Sequence, residues 1–363
     1  TSRHITQGEL VNRVTLAKSL FINCDLRVGE TIREEMLVVK SPGRGLQPNR
    51  RAELVGRRVK RDMQKGDVFY PSDLDAQVIQ PRRYSFNRPW GVPVRYYDFK
   101  EILGKSNPDF LEFHLSYKDM DIDFHQFFDQ PCDLDFTVHS PDIFRADHLL
   151  NPSASDPHHR QRSLSELQRV IDIARELKPY FRRATTPLVI ASMGGFTRDR
   201  LVTPAERADA YALLAESLKQ LDTEGVELIP QTLPPFPWYF GGQLYLNLFV
   251  DYRDTADFCE QYGYRLCFDT CHSMLACNHF GWSFDEFVKA VAPYTAHLHI
   301  SDARGVDGEG LQIGEGDIDM RAMWYSLNHE APRVSFIPEI WQGHENGGEG
   351  FWIALERLEM FLS

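Results

Sequence analysis

Between residues 93 and 340, short apolar runs alternate with longer segments whose apolar residues recur at helical spacing. Eight runs stand out: VPVRYYDF (92–99), FLEFHLS (110–116), DFTVHSP (135–141), PLVIASM (187–193), VELIPQ (226–231), RLCFDT (265–270), AHLHISD (296–302) and VSFIPEI (334–340). Three intervening segments have capping-box spacing: Ser163 with Glu166, Thr203 with Glu206 behind Pro204, and Ser283 with Glu286. A helix begun at Ser163 turns Leu164, Leu167, Ile171, Ala174 and Leu177 to one side, and one begun at Thr203 does so with Tyr211, Leu214, Leu218 and Leu221. Strands alternating with one-sided helices predict a parallel sheet covered by helices. Eight units close it into an α/β (β/α)8 TIM barrel.

In such a barrel the C-terminal ends of all strands open on one mouth, so residues far apart in sequence meet there. Several runs end in a residue able to bind a metal or move a proton: His139 in the third, Gln231 in the fifth, Asp269 with His272 in the sixth, His297, His299 and Asp302 in the seventh, Glu339 in the eighth. A carboxylate at the end of an apolar strand costs desolvation unless it is paired or metal-bound, which makes Asp269 and Glu339 candidates. His297 and His299 point to one face of their strand; His299, nearer the mouth, is the expected ligand, and His297 reads as an interior histidine. Glu112 and His114 read as barrel-lining. The loop DARGVDGEGLQIGEGDID has glycines at 305, 308, 310, 314 and 316 that let its backbone approach a ligand, with Asp317 placed to cap a helix. After Glu339, WQGHENGGEGFW offers Trp341, His344 and Trp352 for stacking and polar contact on a sugar ring.

Charge divides the chain. Residues 1–90 hold 17 Lys and Arg against 10 Asp and Glu, a net of +7, which leaves −19 for the rest of a chain whose total is −12. The sequence therefore divides into a basic domain (1–77), a linker (78–91) with two prolines and three arginines, and an acidic barrel (92–363). The acidic barrel repels nucleic acid, while a carboxylate-rich mouth suits a divalent cation and a small polar substrate. Six cysteines without a CxxC pair read as reduced thiols, which suits the cytoplasm. No apolar stretch approaches the length of a membrane span, and no signal peptide precedes the first strand. A chain beginning at Thr1 reads as a piece of something longer.

The basic domain carries an internal repeat. DLRVGETIREEML (25–37) matches DMQKGDVFYPSDL (62–74) at an offset of 37, pairing Asp25 with Asp62, Gly29 with Gly66, Glu30 with Asp67 and Ile32 with Phe69. Each copy reads as a turn on a positive-φ glycine, a short strand and a one-turn helix. ITQGELVNRVTLAKSL, DLRVGE, VKSPGRGLQP and VGRRVKRDMQKGD occur in that order and resemble the antifreeze-like (SAF, β-clip) domain of sialic acid synthases. By that resemblance the domain caps the active site of a partner's synthase barrel, through a homo-oligomer or a separate synthase chain. An arginine just before a Pro-Gly pair there contacts the sugar; here that position is Ser41, and Arg44, two residues past the proline, is the candidate contact.

A second resemblance covers roughly residues 90–363. VHSP, the PQT ending the fifth run, CFDTCH, HLHISDARG, IGEGDID and PEIW occur in the order found in the xylose isomerase-like barrels, which include sugar isomerases, ketose 3-epimerases and apurinic endonucleases. The resemblance places one divalent ion (Mn, Mg, Co or Zn) on Gln231, Asp269, His299 and Glu339. It makes His272 and Arg304 contacts to the reacting sugar, with Glu339 moving the proton. His139, Trp341 and His344 are further candidate substrate contacts. The endonucleases' extra zinc-binding histidines have no counterpart at ASMGG (191–195), Gly308 or Gly310.

Together the two resemblances imply a metal-dependent isomerase or epimerase for a sugar or sugar phosphate. The fusion points to the C-terminal part of a multidomain synthase, handling an amino-sugar precursor of sialic-acid-like sugars. The alternative is a non-catalytic sugar-binding or assembly module attached to such a synthase. Because the epimerases carry glutamate where Gln231 stands, one base is left at the strand ends, which favours one-base aldose–ketose isomerisation over two-base epimerisation.

Overall fold

All eight apolar runs form strands in the computed structural model: β1 (Gly91–Val94), β2 (Phe110–His114), β3 (Asp135–His139), β4 (Leu188–Ala191), β5 (Glu227–Pro230), β6 (Leu266–Asp269), β7 (Thr295–Ile300) and β8 (Ser335–Pro338). The structure describes residues 7–75, 79–237 and 244–362. The domain boundary read at residue 77 and the first residues of the ITQGELV stretch lie outside the described residues. The chain divides into two compact units, Thr1–Gln80 and Pro81–Ser363.

In the larger unit β1 to β5 pair in sequence order, as do β6 to β8, and every pairing is parallel. Two parallel bridges join the halves, Gln231 to Cys267 and Trp90 to Phe336, closing the eight-stranded ring. The strands are shorter than the apolar runs because polar side chains stop them. Asp98 accepts the Arg95 backbone N–H at 2.7 Å as α1 (Phe99–Lys105) begins, and Asp269 ends β6 while capping the next helix.

The helices bury the faces read from the sequence. In α2 (Pro157–Leu177), Leu164, Leu167, Ile171, Ala174 and Leu177 are all buried, each large one stabilising by about 1.5–3 kcal/mol. This helix begins earlier than its capping-box signal. Asp156 caps it, Pro157 opens it, and Ser163 lies buried in its interior, accepting the Asn151 N–H at 3.0 Å. Thr203 with Glu206 does form the reciprocal capping box of α3 (Pro204–Leu218), and Leu221 lies beyond its end. The remaining helices are α4 (Tyr252–Tyr262), α5 (Thr270–Phe280), α6 (Phe284–Val291, capped by Ser283), α7 (Met320–Glu330) and α8 (Glu345–Leu362). Asp319 rather than Asp317 caps α7; Asp317 instead accepts from the Gly305 N–H and the Asn278 side chain.

The smaller unit is built on its repeat. Leu26 and Met63 exchange both backbone hydrogen bonds at 2.8 Å, and the Asp25 carboxylate accepts the Lys65 N–H while Asp62 accepts that of Val28. Gly29 and Gly66 turn with φ of 89° and 104°, a conformation costly for any residue with a Cβ. The repeated one-turn helices are Glu34–Met36 and Pro71–Leu74, and the two copies share a core that includes Ile22, Ile32, Val59 and Phe69. Arg44 lies exposed in the loop between them.

Candidate active site

The pleat of β2, β3 and β7 turns alternate side chains into the barrel, and there they meet around one buried carboxylate. Glu112 of β2, fully buried, accepts from Thr137 at 2.8 Å and lies 2.8 Å from His114 Nε2. His297 and His299 each bring Nε2 within 2.9 Å of it, off the line that a straight N–H···O bond requires. These two ring nitrogens therefore stay buried without a hydrogen bond. His297 and His299 hold Glu112 well below the usual carboxylate range against the opposing cost of burial. Burial dominates at His297 and His114 and pushes both down.

One layer nearer the mouth, Gln231, Asp269, His299 and Glu339 come together. Gln231 Nε2 lies 2.9 Å from Asp269 Oδ2 and 3.2 Å from His299 Nδ1, while Glu339 Oε2 lies 2.8 Å from the same nitrogen. Asp269 Oδ2 is 3.9 Å from His299 Nδ1. Asp269 has a double role: Oδ1 caps α5 by accepting the His272 N–H at 2.9 Å, which leaves Oδ2 for the cluster. Burial, followed by the nearby Glu339, pushes its carboxyl up to about 7, against the pull of His272. Glu339 moves the other way: His299 outweighs burial and holds it well below its ordinary value.

His139 reports on the Gln231 amide. Its Nδ1 donates to the Ser140 carbonyl at 2.8 Å and its Nε2 lies 2.7 Å from the amide's outer atom. That atom is Oε1, which leaves the amide NH2 turned inward, toward Asp269 and His299. Two carboxylates, an imidazole nitrogen and the Gln231 side-chain amide meet at one point, and the carboxylates with the imidazole are donors of the kind that hold a divalent cation. A cation is also what two carboxylates crowded around one imidazole nitrogen lack, so the residues fit a metal ion.

His272, on the first turn of α5, is clamped. Its Nδ1 donates to the Thr232 carbonyl at 3.0 Å and its Nε2 to Glu309 at 3.2 Å. Against burial, Asp269 and Glu309 raise it to about 10, so it is a cation at neutral pH. Glu309 arrives on a hairpin after β7, Asp302–Arg304 paired with Gly308–Leu311. Asp302 serves this loop and not the cluster: its carboxylate accepts the N–H groups of Ala303, Gly314, Gly316 and Ile318.

The other sequence candidates lie apart from this cluster. Arg304 is exposed and donates to the Glu315 carbonyl. His344 is exposed beside Glu345, and Trp341, half-buried, donates its backbone N–H to Gly310. Among the described residues, none of these three side chains makes a hydrogen bond or ion pair to the histidines and carboxylates of the mouth. Arg44 belongs to the smaller unit. Glu112 and His114, read from the sequence as barrel-lining, lie beside the site, and Glu309, which the sequence reading did not single out, joins it. The signal for the first two was present: in FLEFHLS, Glu112 and His114 are two residues apart on one strand face, as His297 and His299 are.

A family model described as a xylose isomerase-like TIM barrel matches residues 97–358, and a SAF domain model matches residues 17–75. No curated protein matches the chain at a significant level. Among solved structures, a D-tagatose 3-epimerase-like protein is 18% identical with a TM-score of 0.52, covering 76% of this chain and 97% of that one. D-Psicose 3-epimerase with D-tagatose from Clostridium cellulolyticum H10 is 14% identical with a TM-score of 0.52, covering 75% and 98%. An L-ribulose 3-epimerase is 15% identical with a TM-score of 0.50, covering 76% and 94%. At these identities the likeness shows a shared fold.

Proposed function

The chain belongs to the xylose isomerase-like TIM barrel family, and from that premise we propose that it is a divalent-metal-dependent isomerase or epimerase acting on a sugar or sugar phosphate. The observation that carries this reading is the meeting of Gln231, Asp269, His299 and Glu339 at the strand ends, with two carboxylates crowded around one imidazole. Those four residues would hold the ion, Mn, Mg, Co or Zn. When bound, it supplies Lewis acidity that polarises a sugar carbonyl and its neighbouring hydroxyl.

The chain's own residues do the rest. Glu339 is the least buried of the four, its side chain 29% exposed against at most 2% for Asp269 and His299, so it is the one that reaches a substrate carbon and takes its proton. His272, held as a cation beside Asp269, sets a positive charge next to the reacting sugar oxygens while both of its N–H groups stay on Thr232 and Glu309. His139 holds the Gln231 amide, and Glu112 sets a buried negative charge behind His299. The six cysteines are free thiols, which suits the cytoplasm. No helix among the described residues is long and apolar enough to cross a membrane. The SAF domain favours association with a sialic acid synthase-like barrel, and an amino-sugar precursor as substrate; this part rests on domain pairing and not on site chemistry.

The test is proton exchange. Incubating the chain with Mn²⁺ and a panel of ketoses and aldoses in D₂O should wash deuterium into the carbon beside the carbonyl, seen by NMR, and EDTA should stop it. Tight sugar binding without exchange at any metal concentration would support the non-catalytic module instead.

A further inference from the structure

The hairpin after β7 packs at the mouth between the segments that follow its two neighbouring strands, β6 and β8. Gly310, at its turn-side strand, donates its N–H to Cys271 Sγ at 3.2 Å on α5 and accepts the Trp341 N–H at 2.9 Å from the loop after β8. A Cβ at Gly310 would lie 2.8 Å from the Trp341 Cβ, and φ there is +66°, so glycine is what lets the hairpin come down this far. The adjacent residue, Glu309, is thereby placed with its carboxylate 3.2 Å from His272 Nε2 and its side chain only 16% exposed. His272 has no other proton acceptor for that nitrogen among the described residues, and its Nδ1 is already committed to Thr232. Besides Asp269 and the interior Glu112, the site thus has two carboxylates: Glu339 beside His299 at the end of β8, and Glu309 beside His272 on the β6 side.

We propose that Glu309, carried over the mouth by the hairpin and held by His272, is the second proton carrier of the site, so that the chain inverts a stereocentre beside a carbonyl rather than moving the carbonyl along the sugar. The inference rests on the reading of a metal-dependent sugar enzyme given above. In chemical terms, one carboxylate takes the proton from the carbon next to the carbonyl, the C–H electron pair passes into the C–C–O system, and the other carboxylic acid returns a proton to the opposite face of that carbon. One C–H bond breaks and one forms, with no net oxidation. A single base returns its proton to the face it came from, which permits movement between adjacent carbons but not inversion. The expectation of one remaining base considered strand ends alone, where Gln231 has no basicity; the hairpin supplies the missing group from elsewhere in the chain.

The experiment uses the whole chain loaded with Mn²⁺, with D-fructose, D-tagatose and D-psicose as probes in D₂O. Wild type should invert one centre beside the carbonyl with deuterium incorporated there and form no aldose. Glu309→Gln should lose inversion by about 100-fold or more, while Glu339 still exchanges deuterium into one of the two epimers without inverting it. Glu309→Asp should recover part of the inversion, and metal content should be unchanged in both variants, because Glu309 is not among the ion's ligands. Inversion by Glu309→Gln at the wild-type rate, or aldose formation without inversion by wild type, would overturn the inference and leave the sugar-enzyme reading standing. Absence of any exchange by metal-loaded wild type would overturn both.

Discussion

At the N-terminal ends of the strands a cavity of about 610 Å³ lies among Arg88, Asp109, Asp135, Arg183 and Arg333, while the C-terminal ends of the same strands bring together Gln231, Asp269, His299 and Glu339. The first end is a cavity with dispersed charges, and the second gathers its titratable groups. Charges at the lower end have separate partners. Asp109 accepts the Trp90 N–H at 3.0 Å, Arg183 pairs with Asp133, and Arg88 donates to Asn328 at 2.7 Å. At the mouth they share partners: His299 lies among Glu112, Glu339 and Asp269, and His272 lies between Asp269 and Glu309. Volume alone does not mark a site. Like charges crowded where a fold could have kept them apart do so, because that arrangement costs stability unless a ligand or reaction uses it.

Substitutions at the two ends should differ in kind. The largest effect on stability is expected inside the mouth end, at Glu112. Glu112→Ala leaves His297, His299 and Thr137 around an empty buried site and should cost about 3–5 kcal/mol in urea unfolding; a loss under 1 kcal/mol would show that the interior cluster is not a coupled network. Gly310→Ala should cost about 1–2 kcal/mol for a side chain at positive φ. It should also lift the hairpin, reducing deuterium exchange into sugars more than it reduces metal content. The smallest effect belongs to the lower end. Arg183→Ala removes an exposed ion pair and should leave the urea midpoint close to wild type, with exchange and metal content as in wild type. If it lowered exchange as strongly as Glu309→Gln, the contrast between the two ends would fail.

Much of this was legible before the structure. Strand ends in a parallel barrel converge by topology, so Asp269, His299 and Glu339 could be read from where the apolar runs stop. The repeat at an offset of 37 foretold the reciprocal bonds of Leu26 with Met63, because two like segments that pair with each other do so symmetrically. The misses have physical causes. Ser163 and Glu166 have capping-box spacing, but the apolar stripe extends only from Leu164 onward and gave no hint of the polar turn that Asp156 and Pro157 start. Arg304 was named by the resemblance as a sugar contact, yet the hairpin that starts there turns its guanidinium to Glu315. Glu309 was hidden for the same reason: which residue of a glycine-rich loop comes to rest on His272 depends on the hairpin's register, fixed by Asp302 and by the fit of Gly310 against Trp341. Glu112 was passed over because a lone carboxylate in an apolar strand does not name its partners.

The central claim is that the mouth holds a divalent ion on residues from four strands. Its most direct test is titration of the metal-free chain with Mn²⁺ and with Zn²⁺ by calorimetry, comparing wild type with Asp269→Asn and Glu339→Gln at the mouth and Asp109→Asn at the lower end. The account predicts one ion per chain in wild type and in Asp109→Asn, and no measurable binding in the two mouth variants. Equal binding in all four proteins, or loss of binding only in Asp109→Asn, would contradict it.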